Sequence, residues 1–409
     1  MSSKTLCERC RNSTNFKEDT FVGVNCSDGD ISVNFPLGFH ISEDENELRK
    51  DILLLINVLS HNTDDKKSEF NDDTDYKNFE LPIQSYLYII IDYFNRGYYH
   101  EKDIVYETGK SGKINWSKTI KTQKAYIQDN DIFYLDYMTK KKDTNENQII
   151  TLIHEYCVYE SFEKLGWIFS SFMPKRSRIK FNKKIFMCAI KKKIVGTFND
   201  VNKQLLIHML AIVESLGNEG PVKNYKYGTN RFEYIWEKLI DKKYGIENKK
   251  NFFPKTKWIL GEKIYENSTL EPDSIMIVDR KVFVLDAKYY KFGQTKYPGH
   301  LPNSSSINKQ ITYGEYISFN SKFKDEYGNN PVVFNAFIMP YDSKGKAFHT
   351  NTELFYIGNA VSEWKISDGT KTYEAVVGIL LDVKTLMKNY RNDIYDIYKL
   401  ADLIEDKVK

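Results

Sequence analysis

The 409-residue sequence lacks several things, and each lack removes a class of protein. It has five cysteines, Cys7, Cys10, Cys26, Cys157 and Cys188, an odd and scattered set. That is no disulfide framework, and it suits a reducing compartment. Cys7 and Cys10 form one CxxC, but no second CxxC or histidine pair follows at zinc-finger spacing, so they read as loose terminal thiols. Long apolar runs are missing as well: "YLYIII" and "AVVGILL" fall well short of a membrane span. The opening "MSSKTLCERC" lacks the apolar core of a signal peptide, so a cytoplasmic protein is expected. No internal repeat is visible. A phosphate-binding loop is also wanting: "GKSGK" begins at Gly109, but the first glycine of GxxxxGK[ST] would fall at Ile104, with no clear strand before it. His154-Glu155 opens an apparent HExxH, but Val158 stands where the second histidine belongs, which excludes a zinc-protease site. A formal net charge of +3 leaves no global basic character, so any surface for nucleic acid has to be local.

What is present is material for cores. The hydrophobic share is 41%, with 29 Tyr and 25 Phe favouring β structure and large buried contacts. The length calls for two or three domains. Residues 20–42 alternate apolar and polar as short strands do, and 46–60 have helical spacing. The polar, acidic stretch 61–78 reads as a linker, and a helix resumes behind Pro82. Residues 104–137 are β-like, helices are expected at 147–166, 199–217, 230–243 and 306–319, and strands near 331–339, 353–358 and 373–382. A single charged helix at 383–407 closes the chain. The expected divisions are an α+β segment at 1–78, an α+β DNA- or partner-binding region at 79–197, and a mixed α/β domain at 198–409.

The most lopsided stretch lies between Lys175 and Lys193, with nine Lys or Arg and no acid. Lys175, Arg176, Arg178, Lys180, Lys183 and Lys184 are the candidates for phosphate contact, since clustered cations release counterions from a duplex. Ile179, Phe181, Ile185 and Phe186 would anchor the segment.

The chemistry concentrates in "EPDSIMIVDRKVFVLDAKYY", Glu271 to Tyr290. "SIMIVD" and "KVFVLDAKYY" read as two strands turning at Asp279-Arg280. Period two places Val282, Val284, Asp286 and Lys288 on one face of the second strand, while Asp273 can lie beside Asp286 across the hairpin. Two converging carboxylates repel unless a cation joins them, and hard oxygen ligands suit Mg²⁺. A lysine beside them can orient a water and offset developing charge. A strand-end ion pair is the plainer alternative. Upstream, Phe232, Ile235, Trp236, Leu239 and Ile240 mark an amphipathic helix, with Glu233 and Glu237 one row beside its buried face. Glu233 can reach the sheet edge, or it can close a capping box on Asn230. Downstream, Gln310, Tyr313 and Ile317 share one face of a further helix.

Glu233, Pro272-Asp273, Asp286-Ala287-Lys288 and Gln310, in that order, resemble the motif set of the PD-(D/E)XK nuclease superfamily. Within it, "RFEYIWE", "EPDSIMI", "VLDAKYY", "NKQITYGEY" and "VVFNAFIMPY" resemble the LlaJI-type restriction endonucleases, which are themselves similar to McrC nuclease subunits. The resemblance is strongest over about 228–341, with weaker echoes in "FPLGFHI" (35–41) and "GKINWSKTIK" (112–121). It implies an α/β, restriction-endonuclease-like C-terminal domain with a mixed central sheet flanked by helices. It also implies a Mg²⁺-dependent endonuclease on double-stranded DNA, with Mn²⁺ able to substitute. Asp273 and Asp286 would bind the metal with Glu233 (or Glu237) beside them, Lys288 would position the attacking water, and Gln310 would be an accessory polar residue. The implied partners are a separate McrB-like nucleotide-hydrolysing subunit and a cognate DNA methyltransferase, with a homodimer or higher assembly on DNA. A repair or phage-defence nuclease for damaged or branched DNA stands as an alternative, as does an inactive binding subunit with a nuclease-like fold.

Overall fold

A computed structural model describes residues 5–15, 19–27, 30–62, 82–100, 102–128, 131–144, 148–217, 224–267, 269–327, 331–363 and 371–408. The acidic stretch expected as a linker lies almost wholly outside them. The chain forms two compact units, one of residues 1–78 with 224–409, the other of 79–223.

This division differs from the sequence expectation at two points. Residues 1–78 are no separate domain, because strand Val22–Ser27 pairs antiparallel with Tyr225–Thr229, in a four-stranded sheet with Asp30–Phe35 and Cys10–Asn12. The pairing is unusually close: a Cβ on Gly23 would lie 2.1 Å from the Tyr227 carbonyl, and one on Gly228 would lie 2.1 Å from that of Val22. Both glycines also have positive φ, so no other residue fits this crossing. Helix Glu45–Asn62 is tied in by the buried Asp51–Lys384 ion pair (2.7 Å) and by a hydrogen bond from Lys242 to Asn62. Conversely, Asp200–Ser215 falls in the inserted unit, where it packs on helices Ile83–Arg96 and Lys183–Val195.

The inserted unit also holds helix Ile149–Leu165 and a three-stranded sheet in which Tyr137–Thr144 pairs with Lys102–Gly109 and Lys113–Ile114. A strand does therefore precede "GKSGK", contrary to expectation, but the loop leads into another strand instead of a helix. The β-like region is interrupted by helix Trp116–Thr122, capped by the Asn115 side chain.

The first unit is built on a five-stranded mixed sheet. Its strands are β1 (Ser274–Val278), β2 (Lys281–Ala287), β3 (Val333–Tyr341), β4 (Leu354–Ala360) and β5 (Val376–Asp382), in the order β1-β2-β3-β5-β4. β2, β3 and β5 run parallel, and antiparallel strands flank them. Every residue of β3 and β5 is buried, as their unbroken apolar runs require of strands covered on both faces. Helix α1 (Phe232–Tyr244) covers the sheet through Phe232, Ile235, Trp236, Leu239 and Ile240, the expected stripe. Helix α2 (Ser304–Phe319), capped by Asn303, buries Ile311, Tyr313 and Ile317 with Val282 and Val284. The terminal segment forms two helices, Val383–Lys388 and Ile394–Val408, where one was expected.

Candidate active site

The turn between β1 and β2 has Asp279 at φ 47° and Arg280 at φ 65°, the left-handed pair that matches the twist of a two-residue hairpin. Ser274 pairs with Leu285, so Asp273 enters opposite Asp286 at the C-terminal end of β2. The Ala287 amide donates to Asp273 Oδ2 at 2.7 Å, and the Asp273 carbonyl accepts from Lys249 Nζ at 2.6 Å. Lys249 also pairs with Asp241 at 2.6 Å, which joins the entry of β1 to α1. Asp286 is 5% exposed, and Lys288 Nζ lies 2.7 Å from its Oδ2. The Lys288 amide donates to the Ile338 carbonyl, continuing the β2–β3 ladder.

The electrostatics follow from this crowding. Burial, then the charges of Asp286 and Glu237, push the Asp273 carboxyl well above the usual carboxylate range, against an opposing pull from Lys288. Burial disfavours the Lys288 ammonium, but Asp286 and Asp273 outweigh it and hold the lysine above its ordinary value. Two acids share a place that admits one negative charge comfortably, with a fixed cation beside them. Among the described residues no group of three or more His, Cys, Asp and Glu side chains is arranged to hold a metal. The pair still fits a hard divalent ion of the magnesium kind, which takes one or two carboxylates and completes its shell with water and phosphate oxygens.

The remaining candidates separate. Glu233 turns to Arg231 at 3.1 Å and is not among the charges that raise Asp273. Helix α1 begins after Arg231 without a side-chain cap, so the capping box is not formed either. Glu237, one turn on, is the helix carboxylate that bears on Asp273. The adjacent Trp236 fixes this registration by donating its Nε1–H to the Ile338 carbonyl, the same oxygen that accepts from Lys288. Gln310 donates Nε2 to the Val284 carbonyl at 2.7 Å, and so braces β2 two residues before Asp286. The "FPLGFHI" loop meets the strand end at Tyr289, whose hydroxyl accepts from the Leu37 amide at 2.6 Å. Burial first, then the charges of Asp286 and Asp273, push the Tyr313 phenol above its ordinary value.

The basic candidates lie in the inserted unit. Lys175, Arg176, Arg178, Lys180 and Lys184 are exposed, but Lys183 donates to the carbonyls of Glu214 and Leu216 at 2.7 and 2.6 Å and so caps a helix end. Phe181 and Phe186 anchor the segment against Tyr156, whereas Ile185 is exposed. His154 is buried, accepts from the Tyr99 amide, and is held down to about 3 by burial first, with no second histidine ligand beside it on its helix. Cys7 and Cys10 are free thiols. No described helix is long and apolar enough to cross a membrane.

A component of the type II restriction enzyme BsuMI, YdjA of Bacillus subtilis (strain 168), is 27% identical over 271 residues, which is 62% of this chain and 56% of that protein. The chain thus matches little more than half the length of this curated relative. Two solved structures align more loosely. One, of Thermococcus gammatolerans McrB AAA+ hexamers with bound McrC, matches at 17% identity and TM-score 0.38, over 94% of this chain and 83% of that one. The other, the McrBC complex of the same organism, matches at 15% identity and TM-score 0.22, over 54% and 65%. The family described as LlaJI restriction endonuclease matches residues 21–384, through both compact units. The chain belongs to the LlaJI restriction endonuclease family.

Proposed function

We propose that the chain is the nuclease component of a restriction system and hydrolyses phosphodiester bonds of double-stranded DNA with Mg²⁺, or Mn²⁺ in its place. The observation that carries this is the Asp273–Asp286 pair with Lys288 at 2.7 Å, at the C-terminal end of β2. Asp273 and Asp286 would hold the divalent ion, which supplies Lewis acidity toward the phosphoryl oxygen when bound. Lys288 stays protonated beside Asp286, so it can orient the attacking water and offset the charge that develops on the phosphate. The Ala287 amide keeps one Asp273 oxygen engaged and so fixes the carboxyl group beside Asp286. Glu237 adds negative charge on the helix side and takes the place first assigned to Glu233. Gln310 acts on the strand and not on the substrate.

Partners follow from the relative's description as one component of a restriction enzyme. A separate nucleotide-hydrolysing subunit of the McrB kind and a cognate DNA methyltransferase would complete the system. One active site per chain also calls for two copies on DNA to cut both strands. Purified protein, with the products of adjacent genes, is incubated with methylated and unmethylated duplexes in Mg²⁺. Loss of cleavage by at least about a hundredfold is expected in Lys288→Ala and Asp286→Ala. Parent-like cleavage by both variants sinks the assignment, and preferential cutting of branched or damaged substrates points to a repair or defence nuclease instead.

A further inference from the structure

We propose that the loops leaving the C-terminal ends of β2 and β3 form a phosphate-binding rim, in which Lys296, Lys344 and Lys346 contact the duplex backbone flanking the cut. This rests on the nuclease reading above, and it gives that reading a DNA-contact surface in the same unit as the carboxylates.

Acids and bases nearly balance over the whole chain, 56 against 59. Yet no Asp or Glu occurs between Ala287 and Gly314, or between Ser343 and Thr352. Parallel pairing of β2 with β3 delivers both acid-free segments to one edge of the sheet, the edge where Asp286 and Lys288 stand. There the two loops pack together. Phe348 of the second lies 6.0 Å from Phe292 of the first between ring centroids, and Lys296 Nζ sits 4.6 Å from the Phe348 ring centroid. Asp342, which opens the second loop, is engaged within the fold: its Oδ1 accepts from the Lys344 amide at 2.9 Å, and its Oδ2 faces His40 Nδ1 at 3.1 Å. Lys296, Lys344 and Lys346 are exposed, and among the described residues none of the three pairs with a carboxylate. Lys296 also holds φ 54°, a left-handed conformation that glycine adopts with less strain, so the turn alone does not account for a lysine there.

The spacing suits a duplex. The Lys288 amide is level with the Ile338 carbonyl, and Asp342 lies four residues further along, about 13 Å at about 3.3 Å per residue. That is about four base pairs of DNA at about 3.4 Å each. A duplex whose scissile phosphate reaches Asp273 and Asp286 therefore presents its neighbouring phosphates to the rim. Ammonium groups without an internal counter-ion gain there by releasing the cations condensed on the backbone.

The test measures affinity of the full chain for a labelled duplex in Ca²⁺, from about 50 to about 200 mM salt. Lys296→Gln, Lys344→Gln and Lys346→Gln combined should make the slope of log K against log salt shallower by about 0.9 per lost contact, about 2.7 in all. The same three positions changed to Arg should keep the parent's slope, because charge and donors persist. A parent-like slope in the Gln triple overturns the rim. If that triple instead loses association with the products of adjacent genes, the surface belongs to a protein partner and the proposal is equally overturned. An Arg triple that falls with the Gln triple also overturns it, by showing that the lysines act through shape and not charge. No cleavage enters this measurement, so failure of the nuclease reading, seen as parent-like cutting by Lys288→Ala, is told apart from failure of the rim.

Discussion

Asp273 is the residue on which the electrostatics of the site turn. Its folded pKa lies above the ordinary 3.8, because burial and the Asp286 charge both oppose ionisation. A raised carboxyl pKa means that the folded state binds the proton more tightly than the unfolded chain. The metal-free protein therefore loses stability as pH climbs from about 4 through the folded value. Asp273→Asn should flatten that slope and raise the metal-free melting temperature above pH 7, while abolishing cleavage. On the proposed reading Mg²⁺ would take over the role of the proton, so its stabilisation of the parent should be largest at alkaline pH. Thermal scans from pH 5 to 8 check both points, and an unchanged slope in Asp273→Asn would refute them. At this scale Asp273, Asp286 and Lys288 were legible because a two-residue turn and strand alternation fix all three locally. Glu233 and Glu237 were not separable, since both flank the buried stripe, and only the folded chain shows Glu233 paired with Arg231 and the charge of Glu237 bearing on Asp273.

Elements were easier to read than their junctions. The strands and α1 follow directly from apolar periodicity, but the break at 389–393 between the last two helices carries no proline or glycine to announce it. Near the C-terminal end of α1, Lys243 is fully buried, 2.7 Å from Asp396 and 3.0 Å from Glu353, and donates to the Asn389 carbonyl. It thereby fastens α1 to the entry of β4 and to the terminal helix, and the carbonyl it engages lies where that helix breaks from its predecessor. Lys243→Met should destabilise the unit by about 3–5 kcal/mol, because it removes the buried cation that Asp396 and one Glu353 oxygen face, leaving Glu353 only the more exposed Lys399. Urea denaturation measures this, and a loss under about 1 kcal/mol would show that the carboxylates find water instead.

At the scale of the whole molecule, the largest departure from the sequence reading is the return of residues 1–62 to the C-terminal unit. A pairing between Gly23 and Gly228 spans two hundred residues, and no local pattern encodes it. The inserted unit carries the exposed cations, and replacing Lys175, Arg176, Arg178, Lys180 and Lys184 with alanine should lower the salt dependence of duplex binding. For every phosphate that is no longer neutralised, the slope of log K against log salt falls by about 0.9. A slope equal to the parent's would assign the segment to another role. The chain order also dictates a timetable for synthesis. The inserted unit has all its strands and helices by residue 217, whereas strand Val22–Ser27 waits for Tyr225–Thr229, and the sheet behind the carboxylates waits for Val376–Asp382. Domains emerging from the ribosome fold in the order they are completed. The cell would thus hold a finished insertion while the sheet that brings Asp273 to Asp286 is still incomplete, and a product truncated before β5 should lack the support that sheet gives the pair.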